Sequence, residues 1–106
     1  MAIIEVAIAP FGVGSSLSKY VAEALKVVRV EKGIKYELTA MGTLIEGDLT
    51  QLLDLVKRMD EAVFAAGATR VYTVLKIDDR RDKQSSIAYK VDSVKRKLQS
   101  TVGVHV

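Results

Sequence analysis

The stretch Thr39-Ala40-Met41-Gly42-Thr43-Leu44-Ile45-Glu46-Gly47-Asp48 lies near the middle of the 106-residue chain, between an alternating run and an amphipathic one. Its centre reads as a buried strand bracketed by Gly42 and Gly47. Glycines at such positions let another backbone or a ligand come close. Glu46 breaks the apolar run, and a carboxylate placed there must either find a partner or serve one.

Working outward, residues 34–40 alternate, with Ile34, Tyr36 and Leu38 opposite Lys35, Glu37 and Thr39. That pattern predicts a strand joined to the central one by a short turn at Ala40 to Gly42. On the other side, Asp48 followed by Gln51 has the spacing of a capping box and opens a helix. Leu49, Leu52, Leu53, Val56, Met59, Val63 and Phe64 form its predicted apolar stripe, and Gly67 is placed to end it.

Residues 2–9 also alternate, with Ile4, Val6 and Ile8 on one side and Ile3, Glu5, Ala7 and Ala9 on the other. Pro10 closes this strand, and residues 10–16 make a glycine-containing connection. Ser15 or Ser16 is expected to cap a helix running to about Glu31, with Leu17, Tyr20, Val21, Ala24, Leu25 and Val28 inward and Gly33 as its stop. Arg70 to Asp78 predicts a fourth strand, and Asp78 to Gln84 a charged loop. A third helix follows from about Ser86, with Ile87, Val91, Val94 and Leu98 at helical spacing. The tail, residues 101–106, is short and apolar, and could add a strand to a neighbour.

Strand–helix–strand–strand–helix–strand plus a final helix is the ferredoxin-like pattern, an α/β sandwich. We expect residues 1–106 to be a single domain with a four-stranded antiparallel sheet. The right-handed crossover rule sets strands one and three side by side in its centre, and parallel. Both helices then cover one face. The other face carries Ile3, Ala7, Ala9, Tyr72 and Val74, too apolar to stay wet. A second subunit, the third helix, or both should cover it, so an oligomer is expected.

Composition narrows the function. Apolar residues make up 49% and charged residues 27%, a balance that argues against disorder. With no cysteine, disulfides, thiolate metal sites and a cysteine nucleophile are excluded. No apolar run approaches the roughly 20 residues of a membrane span, and the start lacks a signal-peptide pattern. A cytoplasmic protein is the expectation. The net charge of +3 is spread among acidic residues. The basic cluster Lys90, Lys95, Arg96 and Lys97 therefore reads as a solvated helix face, and nucleic acid is not the expected partner.

Catalytic constellations are mostly absent. The single histidine, His105, has no companion for a metal site or a dyad. No Walker motif or dinucleotide fingerprint occurs, so no cofactor is indicated, although Gly12 and Gly14 before a helix could hold a small anion. An acylphosphatase-like enzyme would need an arginine in the first loop, and residues 10–16 have no basic residue. An RNA-recognition module would need stacking aromatics on the central strands, and these carry none. What remains is a site for something small around Glu46, which would favour a cationic or amine-bearing ligand. The structural alternative is a salt bridge from Glu46 to Arg80 or Lys76. Two other classes stay open: a regulatory module binding an amino acid at a subunit interface, and a structural interaction protein.

Three motifs carry a resemblance: Pro10-Phe11-Gly12-Val13-Gly14, the run from Tyr36 to Asp48 containing Met41-Gly42-Thr43 and Ile45-Glu46-Gly47, and Ile77-Asp78-Asp79-Arg80. From Ile3 to about Lys97 the chain resembles the small thiamine-binding protein family. The resemblance implies a ferredoxin-like fold, assembly into homodimers or homotetramers, and binding of thiamine or its hydroxymethylpyrimidine part, without catalysis or metal. On that resemblance the ligand-binding positions are Pro10, Gly12, Thr39, Met41, Gly42, Thr43, Glu46 and Arg80. Phe11 departs from the smaller residue common there, and is expected to close or restack the pocket. The short tail is the second departure.

Overall fold

The computed structural model describes residues 1–83 and 86–100. His105, the tail's expected strand pairing, and the end of the charged loop at Gln84 lie outside the described residues. The elements are β1 (Ala2–Pro10), α1 (Ser18–Arg29), β2 (Lys35–Thr39), β3 (Gly42–Gly47), α2 (Leu49–Ala65), β4 (Val71–Asp79) and α3 (Ile87–Ser100). This is the expected ferredoxin-like βαββαβ order with an added C-terminal helix.

The sheet order is β2-β3-β1-β4, and every neighbouring pair is antiparallel. β1 and β3 are central neighbours, as expected, but they are not parallel. The hairpin at Ala40 and Met41 reverses the chain. β3 therefore runs against β2, the strand that the α1 crossover sets in the direction of β1. Inserted between those two, β3 opposes both.

Alternation decides what each strand buries. Ile4 opposes Ile45 and Val6 opposes Thr43; the side chains at these positions are buried beneath α1 and α2. The helices contribute Tyr20, Ala24 and Val28 from α1, and Leu52, Leu55, Val56, Met59 and Val63 from α2. Each large side chain so buried contributes about 1.5–3 kcal/mol. The predicted α2 stripe needs one correction: Leu53 and Phe64 are exposed and Leu55 is inside. The inward arc is narrower than the run of apolar residues, so its two flanks stay outside.

Helix α1 begins later than expected. Its N-cap is Leu17, with no side-chain capping bond, so neither Ser15 nor Ser16 caps it. It ends at Arg29, and Gly33, at φ +82°, makes the turn that follows. Asp48 does cap α2, accepting the Gln51 N–H at 3.2 Å. The Gln51 side chain does not close the box. It donates instead to the Lys32 carbonyl at 2.7 Å, tying α2 to the turn before β2. Thr73 donates to Asp60 at 2.7 Å and ties β4 to α2.

The second sheet face is largely open. Tyr72 and Val74 are 55% and 44% exposed. Helix α3 meets this face at its start, where Glu46 accepts the Ile87 N–H and Lys90 pairs with Asp78. Beyond that turn, Val91, Val94 and Leu98 are exposed, so within one chain α3 does not cover the face.

Candidate functional site

The expected site residues fall on two faces of the sheet. Thr43 opposes Val6 on the helix side, whereas Glu46 opposes Ile3 on the open side. Thr43 and Glu46 are three positions apart on β3, an odd step, and a strand turns successive side chains to opposite sides.

On the helix side, a groove of about 290 Å³ runs between α1 and the β2–β3 hairpin. Leu17, Val21 and Leu25 of α1 form one wall, Val6 and Ile8 the floor, and Leu38 with the hairpin the other wall. Thr39, Met41, Gly42 and Thr43, four of the expected positions, line it together. Ala24 of α1 and Ala40 of the hairpin, both small, also line it. At Gly42 a Cβ would stand 3.0 Å from the Val6 carbonyl oxygen, so only glycine fits without a shift.

The two threonines differ in what their hydroxyls do. Thr39 donates to the Gly42 carbonyl at 2.8 Å and accepts the Met41 N–H at 3.3 Å, which fixes the hairpin rim. Thr43 is 4% exposed, and its hydroxyl has no protein partner among the described residues. A buried hydroxyl in that state costs free energy unless something else completes it. Met41 stands at the hairpin tip, 83% exposed.

Glu46 has a different task. It is 5% exposed and its Oε2 accepts the Ile87 N–H, the first of α3, at 2.7 Å. The carboxylate thus sits at a helix N-terminus, where the unpaired N–H groups and the helix dipole favour an anion. It also lines a broader depression of about 540 Å³ with Met1, Lys35, Ser86 and Tyr89. The salt bridges considered for it do not form. Lys76 lies across from Glu5 in the β1–β4 register and pairs with it at 3.4 Å. Arg80 grips Asp82 through Nε at 2.6 Å and Nη2 at 3.0 Å, and its guanidinium holds the Asp82 carboxyl down at about 2.

Pro10 ends β1, buried, and Gly12 takes φ +79° in the bend that follows; neither lines the groove. Phe11 does not close the groove either. Its ring meets Tyr72 edge-on at 5.9 Å and lies under the Arg70 guanidinium at 4.9 Å. The residues that sequence reading did not assign to a site are Leu17, Val21, Leu25, Val6 and Ile8. They carried only a core signal, since the same spacing that buries a helix face also lines a groove. Among the described residues no cluster of three potential metal ligands occurs, and no helix is long and apolar enough to cross a membrane.

With the geometry in place, the chain can be compared with known proteins. Residues 4–95 match the family described as thiamine-binding protein. A UPF0045 protein of Methanothermobacter thermautotrophicus is 48% identical over 96 residues, covering 89% of this chain and 96% of that one. The UPF0045 protein YqgV of Bacillus subtilis is 45% identical over 103 residues, covering 93% and 99%. Among solved structures, hypothetical protein MJ1052 of Methanocaldococcus jannaschii is similar at a TM-score of 0.82 and 39% identity, covering 89% of this chain and 95% of that one.

Proposed function

The chain belongs to the thiamine-binding protein family, and on that premise we propose that it binds thiamine or its hydroxymethylpyrimidine part, without catalysis, in the groove between α1 and the β2–β3 hairpin. The observation that carries this reading is the Thr43 hydroxyl, buried and without a protein partner among the described residues, in an otherwise apolar groove. An aminopyrimidine offers both a ring-nitrogen acceptor and an amine donor, and a hydroxyl can serve either. The aliphatic walls would bury the ring faces, the arrangement common to small-molecule sites. A buried amino acid fits less well, because its two charges would meet no charged side chain among the described lining residues.

In this reading Glu46 anchors α3 and is not a ligand contact. The reading also includes self-association: an open sheet face with exposed Tyr72 and Val74, and an α3 stripe that buries little within its own chain, are surfaces suited to a second copy. A cytoplasmic setting accords with the absence of cysteine.

The test is calorimetric titration of the ligand-free protein with thiamine and, separately, hydroxymethylpyrimidine. Both should bind saturably, and Thr43→Val should weaken both by about tenfold while leaving the fold intact. No heat with either ligand, together with an unchanged melting temperature, rejects the reading. Light scattering on the same sample reports the assembly.

A further inference from the structure

Resting on that reading, we infer that the groove recognises only the neutral pyrimidine ring and is blind to the phosphorylation of thiamine. The described lining carries no ionisable side chain. Its polar groups are the Thr39 and Thr43 hydroxyls and the hairpin backbone, and the Thr39 hydroxyl is already committed to the hairpin. A charged group drawn into such a lining would lose its water with no counter-charge to replace it.

The uncharged lining sets the orientation. The pyrimidine enters, and the bridging carbon, the cationic thiazolium and any phosphate on its hydroxyethyl arm stay at the mouth. No cationic side chain among the described lining residues could pair with a phosphate there. The rim on the β2 side is formed by Leu38, which is exposed and apolar. The protein therefore takes the free vitamin and its phosphate esters alike and does not sort them.

Titration with hydroxymethylpyrimidine, thiamine and thiamine diphosphate tests this. Thiamine and thiamine diphosphate should bind within about twofold of each other. Neither affinity should change appreciably between about 50 mM and about 500 mM salt. A preference of more than about tenfold for either form overturns the inference but leaves the binding function standing. Failure of both hydroxymethylpyrimidine and thiamine to bind overturns the function and the inference together.

Leu38→Lys supplies a second arm: it sets a cation on the exposed wall of the groove, and only the ratio of the two affinities is read, so a general loss from the altered wall cancels. It should create a preference for thiamine diphosphate of about threefold or more, and that preference should fade with salt. A Leu38→Lys protein that stays folded, binds thiamine and shows no such shift overturns the placement of the phosphate arm at this mouth.

Discussion

The Glu46 carboxylate accepts the backbone N–H of Ile87 at 2.7 Å, across 41 residues of chain. A nearly buried acid on a central strand is thereby the anchor of the last helix. With one oxygen spent on α3, the acid that most invited a ligand reading has a structural occupation.

Replacing that charge while keeping an acceptor isolates the role. Glu46→Gln can still accept the Ile87 N–H but loses the charge–dipole attraction, so it should destabilise the protein by about 1 kcal/mol. Amide exchange should accelerate in the first turn of α3, and thiamine affinity should stay within about twofold. A large affinity loss in a folded variant would assign Glu46 to the ligand in the assembled protein.

Gly42 is a packing requirement before it is anything else. An added Cβ would stand 3.0 Å from a backbone oxygen of Val6, an atom that cannot swing aside. Gly42→Ala should cost about 1–3 kcal/mol in chemical denaturation. The cost should appear with or without ligand.

Asp48 caps the start of α2 by accepting the Gln51 N–H. Asp48→Ala should destabilise by about 1 kcal/mol. Because the Gln51 side chain bonds Lys32 and not Asp48, a double mutant cycle of Asp48→Ala with Gln51→Ala should be additive within about 0.5 kcal/mol. Strong coupling would mean that the reciprocal capping box forms in solution.

Arg80 and Asp82 make a pH prediction. The guanidinium lowers the folded-state Asp82 carboxyl from its ordinary 3.8 to about 2. Its contribution to stability is therefore fully present above the ordinary value and is lost as pH falls through the lowered one. An NMR titration should find the Asp82 midpoint near 2 and, in Arg80→Met, restore it toward the ordinary value. An unchanged midpoint in that variant would show that the pair does not persist in water.

Much of the fold was legible because periodicity is local. The alternation of Ile4, Val6 and Ile8, and the spacing of Leu52, Val56, Met59 and Val63, each report burial through a few neighbouring residues. The candidate site was legible only in part. Thr39, Met41, Gly42 and Thr43 were flagged as one motif and share one groove. Glu46 and Arg80 were flagged with them, and the structure gives these two other partners. Leu17, Val21 and Leu25 lacked a distinguishing signal, because a groove wall and a core face read the same along a helix.

The chain's own sequence determined its elements, the hairpin at Ala40 and Met41, and the apolar faces, since each depends on residues within a turn or a strand of one another. The antiparallel setting of β1 against β3 and the partner of Glu46 were decided by tertiary structure alone. Each depends on which distant backbone a side chain meets, and local spacing along the chain carries no record of that.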